Sequence, residues 1–161
     1  MNKTYLLLGG NIGNTKAYVN AAIESIKSQI GTIVLQSSLY ETAPWGFTHE
    51  QHFLNQVVLV ETTQSPREVL IEILKIEQRM GRKRDTSQWG ERIIDIDILF
   101  FNEQVIAEDQ LHIPHPRLHE RRFTLEPLYE IAGSFVHPLL RKTVHELREN
   151  CTDPLEVKII S

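Results

Sequence analysis

The chain has 161 residues, 41% of them hydrophobic, and a formal charge of −4, a balance that suits a folded domain with a substantial core and excludes wholesale disorder. An acidic surplus argues against general nucleic-acid binding, because a phosphate-tracking surface would leave the domain basic overall. Cys151 is the only cysteine, so no internal disulfide can form, and no apolar run approaches the ~18 residues of a membrane span; a cytoplasmic protein without a membrane partner is expected.

Tyr5-Leu6-Leu7-Leu8 predicts a short buried strand that runs into a glycine-rich loop from Gly9 to Asn14. Ala22, Ile23, Ile26 and Ile30 keep helical spacing, with Asn14 or Thr15 as the cap and Gly31 as the stop. Ile33 to Tyr40 reads as a strand, Thr42 to Gln51 as a loop and Phe53 to Glu61 as another strand. Ser65-Pro66-Arg67-Glu68 supplies an N-cap, a proline at the first helical position and a capping-box glutamate, opening a helix that runs to Met80. A loop from Arg82 to Arg92 then leads into an apolar strand through Asp95 and Phe101. The order strand-helix-strand-strand-helix-strand predicts an α+β fold with a ferredoxin-like βαββαβ core.

Beyond Phe101 a C-terminal extension of short strands and helices is expected. It starts with a turn at Asn102-Glu103 and a strand pair around Val105 and Leu111 to Ile113. A Pro- and His-rich loop follows, then a helix near Arg122 to Ile131 whose regularity Pro127 limits, and a last helix opened by the capping box Thr143-Val144-His145-Glu146. The whole chain, 1–161, is expected to be a single domain.

The most informative segment is Trp89-Gly90-Glu91-Arg92-Ile93-Ile94-Asp95-Ile96-Asp97. In a strand, Asp95 and Asp97 point to one face about 7 Å apart, while Ile94, Ile96 and Ile98 point to the other. Two ionised carboxylates on a partly buried face repel and lose hydration unless a cation lies between them. Magnesium suits such a pair, because it accepts few carboxylates, keeps waters and takes its other ligands from phosphates. Arg82, Lys83, Arg84 and Arg92 precede the pair, and guanidinium forks match phosphate oxygens. A solvated edge strand with a charged face is the competing reading of the same residues.

Other constellations carry less. Gly9 to Asn14 lacks the Lys-Ser/Thr ending of a phosphate-binding P-loop and reads better as a strand-to-helix turn. His112, His115 and His119 would line up on a helix as a zinc site, but Pro114 and Pro116 forbid that helix, so phosphate contact by His115 and Arg121 is favoured. Thr42, Ala43, Trp45, Phe53 and Asn55 combine aromatic rings with one amide. They read equally as packing or as a slot for a flat heterocycle, with Phe123 as a second face.

Taken together, Trp89 to Leu99, Gly9-Gly10-Asn11, Glu77 with Gly81-Arg82, and Ile113-Pro114-His115-Pro116-Arg117 with Arg121 resemble the 6-hydroxymethyl-7,8-dihydropterin pyrophosphokinases of folate biosynthesis. The resemblance spans almost the whole sequence. It implies pyrophosphoryl transfer from ATP, the co-substrate, to the pterin hydroxymethyl group with release of AMP, by a monomer using two magnesium ions. It further implies that Asp95 and Asp97 hold the metals, that Arg82, Arg92 and Asp97 are catalytic, and that Thr42, Ala43, Trp45, Phe53, Asn55 and Phe123 form the pterin pocket. Leu70, Leu74, Glu77, Arg84, Trp89, Ile98, His112, His115 and Arg121 would surround ATP. Gln88 and Gln110 stand where basic residues are common in the family, and Leu74 where a polar one sometimes is. A metal-dependent phosphohydrolase and a non-catalytic ferredoxin-like binding module are the rivals, distinguished by ATP hydrolysis without pterin and by magnesium-independent binding without turnover.

Overall fold

The structure, a computed structural model, describes residues 1–11, 13–42, 52–81 and 93–160. The predicted loops at 43–51 and 82–92 lie outside them, and with them Ala43, Trp45, Arg82, Arg84, Trp89 and Arg92.

Strand β1 (Asn2–Gly10) is followed by helix α1 (Thr15–Gln29), strands β2 (Thr32–Gln36), β3 (Tyr40–Thr42) and β4 (Phe53–Thr62), helix α2 (Pro66–Arg79) and strand β5 (Asp95–Phe101). The sheet runs β5-β1-β4-β3, antiparallel throughout, with β2 also against β4. This is the βαββαβ core in an α+β fold, with the second strand in two pieces.

That break has a local cause. The Ser37 hydroxyl accepts from Val57 N–H at 3.0 Å, and the Gln56 amide donates to Ser37 O at 2.6 Å. Ser38 N–H meanwhile donates to Glu130, 92 residues away. Ser37 N–H still donates to Val57 O at 2.9 Å, but side-chain bonds take the other backbone groups at Ser37 and Ser38, so the single strand expected from Ile33 to Tyr40 bends.

The predicted caps form. Asn14 accepts from Ala17 N–H at the start of α1, and Ser65 and Thr143 each close a reciprocal capping box with Glu68 and Glu146. Each such cap stabilises its helix by about 1 kcal/mol. Gly9 and Gly10, expected in a loop, instead belong to β1, which pairs residue by residue with β4 as far as Gly10↔Leu54.

In the extension, β6 (Ile106–Glu108) and β7 (Leu111–Ile113) form the expected hairpin, and α3 (Arg122–Ala132) and α4 (Val144–Glu149) the expected helices. Gln110 takes the left-handed conformation at the hairpin tip. α3 runs through the buried Pro127, which deprives only the Phe123 carbonyl of a helical amide. A final strand β8 (Val157–Ile159), unexpected from the sequence, adds to the outer edge of β3.

The sheet separates two cores. On one face Leu6, Leu8, Val58, Val60, Ile96 and Ile98 pack with Val19, Ile23 and Ile26 of α1 and Val69, Ile73 and Ile76 of α2. On the other, Leu7, Val57, Leu99 and Phe100 pack with Leu125 and Leu128 of α3 and Val144 and Leu147 of α4. Each fully buried Leu or Ile contributes roughly 1.5–3 kcal/mol. Among the described residues no helix is long and apolar enough to cross a membrane.

Candidate active site

The second core is apolar along only part of its sheet face. Register pairs Leu7 with both Val57 and Asp97, and two residues further on pairs Gly9 with both Asn55 and Asp95. Cross-strand partners share a face, and residues two apart along a strand share it too. One transverse row therefore reads Tyr40, Asn55, Gly9, Asp95 across β3, β4, β1 and β5, with Asp97 beside Asp95 and the Thr42–Phe53 pair beyond Asn55. The alternation that sends Ile96 and Ile98 into the first core leaves both aspartates half-buried on the α3 side.

Gly9 is where this row closes up. A β-carbon at Gly9 would lie 2.3 Å from Asn55 Oδ1 and 3.3 Å from the Leu54 carbonyl oxygen. The carboxamide of Asn55 therefore leans across the backbone of β1, in space that any side chain would take. Next to it the Thr42 hydroxyl is buried and has no hydrogen-bond partner among the described residues, a group suited to a polar ligand.

Arg121, Phe123 and His115 wall the same face. Arg121 is the N-cap of α3, and its guanidinium lies 5.6 Å from the centre of the Phe123 ring. Its pKa is lowered by burial and by Arg117, against the opposing pull of Asp97, Glu120 and Asp95. His115 N–H donates to Leu99 O at 3.0 Å, which fixes the Pro- and His-rich loop to β5. Its Nδ1 accepts from Arg117 N–H at 3.1 Å, so the neutral ring carries its proton on Nε2. Burial, then Arg121 and Arg117, push its pKa down from 6.5 to about 4, although Asp95 pulls the other way. Asp95, Asp97, His115 and Arg121 thus feel one another's fields.

A neutral, half-buried histidine has a consequence for stability. Between pH 6.5 and about 4 the unfolded chain takes up a proton at this imidazole that the folded chain refuses. Stability from this group is therefore full above the upper value and falls as the pH drops through that window. His137, whose pKa burial and then His119 also lower, adds to the same loss. The His115→Gln variant should show a smaller difference in urea midpoint between about pH 7 and about pH 5; an unchanged difference would contradict the assignment.

The remaining expected nucleotide residues lie around the outer edge of β5. Leu70, Leu74 and Glu77 follow helical spacing along α2. Ile98 faces that helix from β5 and His112 is exposed on β7. Arg67 on α2 donates to Glu108 at 2.9 Å and to Asp109 O at 3.3 Å, tying the β6–β7 hairpin to the helix. His112, His115 and His119 fall on a strand, a loop and a turn, so they share no helix. A separate cleft of about 500 Å³ involves Lys16, Glu41, His52 and Leu54 and lies on the opposite sheet face from the aspartates.

Among the described residues no three His, Cys, Asp or Glu side chains cluster as a metal cage. Two half-buried carboxylates on one face suit magnesium, which leaves coordination places for water and phosphate, and do not suit structural zinc. The sequence alone missed two features of the site: Gly9 as part of the row and the bond that Arg117 makes to His115. The first was open to discovery, because Leu7 and Gly9 continue the period-two alternation of β1.

Comparison with known proteins identifies the family. Residues 5–133 match the family described as 7,8-dihydro-6-hydroxymethylpterin-pyrophosphokinase. The chain is 40% identical over 155 residues to a 2-amino-4-hydroxy-6-hydroxymethyldihydropteridine pyrophosphokinase of Aquifex aeolicus, covering 96% of each chain. It is 41% identical over 131 residues to the Bacillus subtilis protein of the same name, covering 81% of this chain and 78% of that one. In fold it is similar to the Plasmodium falciparum HPPK-DHPS triple mutant, with a TM-score of 0.76 at 20% identity, over 92% of this chain and 43% of that longer one. With a family match over most of its length and identity of this level sustained end to end, the chain belongs to the 7,8-dihydro-6-hydroxymethylpterin-pyrophosphokinase family.

Proposed function

We propose that the chain transfers the terminal pyrophosphoryl group of ATP to the hydroxymethyl oxygen of 6-hydroxymethyl-7,8-dihydropterin, giving AMP and the pterin diphosphate, as a step of folate biosynthesis. The observation that carries this reading is the row that brings Asn55 and Asp95 to either side of Gly9, with Asp97, His115 and Arg121 alongside. A heterocycle site and a phosphate site then adjoin on one sheet face.

The pterin lies between the rings of Phe53 and Phe123. Asn55 offers a donor and an acceptor to its edge, Thr42 its hydroxyl, and Ala43 and Trp45 complete the pocket. ATP wraps the outer edge of β5, its base near Leu70, Leu74, Ile98 and His112 and its phosphates reaching Arg121 and the Nε2–H of His115; Glu77, Arg84 and Trp89 are assigned to ATP by the family resemblance alone. Asp95 and Asp97 would hold two magnesium ions, which when bound would neutralise the phosphate oxygens and acidify the substrate hydroxyl.

In the reaction the hydroxymethyl oxygen forms a bond to the β-phosphorus while the bond from that phosphorus to the oxygen shared with the α-phosphate breaks. AMP carries away that electron pair, and Asp97 accepts the hydroxyl proton. Negative charge grows on the transferred group as this happens, so Arg82 and Arg92 stabilise the transition state more than the bound substrates. The enzyme works as a cytoplasmic monomer of one domain, with these two small molecules as its partners and neither nucleic acid nor membrane.

Two measurements test this directly. Phosphorus NMR of the reaction should show AMP and a two-phosphorus ester in equal amounts; ADP with a singly phosphorylated pterin would overturn the pyrophosphoryl assignment. For Gly9→Ala, the Asn55 carboxamide must rotate away and the Leu54 carbonyl must give by a few tenths of an ångström, so the melting temperature falls somewhat as well. The lost ligand hydrogen bonds amount to about 1–3 kcal/mol, so KM for the pterin should rise by about 5- to 150-fold while KM for ATP holds. Equal rises in both would contradict the close approach as its cause.

A further inference from the structure

β5 carries both aspartates at the edge of the sheet, and among the described residues its one strand partner is β1, on its inner side. An edge strand of this kind would ordinarily leave its outward amides to water and be free to shift or fray. Here the outer side is held. Leu99 O takes the His115 amide, and Ile96 N–H, the peptide amide between Asp95 and Asp97, donates to Glu77 Oε2 at 2.8 Å. That bond is buried, and Glu77 itself is only 5% exposed.

Its setting is unusual for a carboxylate. Glu77 follows Ile76 near the end of α2, a helix whose Val69, Ile73 and Ile76 are in the apolar core. Burying an ionised carboxylate close to two others is costly unless it makes strong hydrogen bonds. A bond from a backbone N–H to a carboxylate is such a bond, about twice as strong as a neutral pair.

We propose that Glu77 is a positioning residue for the divalent-cation site: by fixing the Ile96 peptide it sets the directions in which the Asp95 and Asp97 carboxylates leave the strand. This role is distinct from a nucleotide contact and rests on the metal assignment of the proposed function. Groups that orient metal ligands without touching the metal change metal affinity by about 10- to 100-fold when removed, and Glu77 belongs with them.

The test compares Glu77→Ala and Glu77→Gln with the unaltered protein, measuring Mn²⁺ binding by electron paramagnetic resonance in the presence of α,β-methylene-ATP. Glu77→Ala should weaken Mn²⁺ by about 10-fold or more. Glu77→Gln, which keeps a carbonyl acceptor for the Ile96 amide, should stay within about threefold of the unaltered protein. Unchanged affinity in Glu77→Ala, or equal losses in both variants, would overturn the proposal. Should Glu77→Ala not fold, amide exchange of Ile96 decides. Slow exchange in the unaltered protein that is kept in Glu77→Gln supports the bond, and exchange as fast as at an open edge in the unaltered protein overturns it. If the unaltered protein fails to bind Mn²⁺ at all, the metal assignment falls; if it binds and the variants match it, only the role of Glu77 falls.

Discussion

Asp97→Ala should lower the rate of pterin-dependent AMP formation by about 1,000-fold or more at saturating magnesium, the scale reached when a single charge-stabilising group is removed from a preorganised site. Asp97 shares its face with Asp95 and exerts a field on Arg121. Without it one carboxylate remains to hold the cations, and the arginine loses the largest part of its counter-charge. Excess magnesium should not restore the rate, because the loss includes the group that receives the hydroxyl proton. The variant should keep a cooperative thermal transition, since the repulsion relieved between two like charges on one half-buried face offsets the attraction to Arg121 that is lost. Near-normal turnover would eliminate the metal assignment, and a collapse of melting temperature alongside the rate would make the aspartate structural.

Arg82→Ala should separate catalysis from binding. A guanidinium that meets charge developing on the transferred group contributes mainly in the transition state, so kcat should fall about 100- to 1,000-fold. The dissociation constant for ATP should move by no more than about threefold. Comparable losses in kcat and ATP affinity would assign Arg82 to ground-state phosphate binding instead. Single-turnover rates beside equilibrium titration with a nonhydrolysable analogue distinguish the two.

What the sequence disclosed were the features governed by neighbours along the chain. The capping boxes at Ser65 and Thr143 are four-residue signals and form as read. The facing of Asp95 and Asp97 follows from strand alternation, and β5 obeys it because Ile96 and Ile98 have a core to enter. The residues grouped by resemblance around the aspartates prove spatially coherent where they are described: Asn55 through register, His115 and Arg121 through the loop and helix that cross the same face.

Features decided across long separations were not legible. The bend between β2 and β3 depends on Gln56, Val57 and Glu130, none of which marks the serines locally. β8 is three residues long and forms because β3 offers an edge. Gly9 and Gly10 look like turn residues, yet β4 provides a partner for each, and the absence of a side chain at Gly9 serves close packing by Asn55 rather than a turn. Glu77 could be picked out as a candidate site residue, but its bond to Ile96 joins a helix to a strand 19 residues later.

The central claim is that one sheet face couples a pterin site to a magnesium-dependent phosphate site, and it is tested most directly by following AMP release from ATP with pterin or magnesium omitted in turn. AMP should form only when ATP, 6-hydroxymethyl-7,8-dihydropterin and magnesium are all present. ADP or phosphate release that ignores the pterin would instead make the protein a phosphohydrolase, and a folded protein that binds these ligands without producing AMP would contradict the catalytic account.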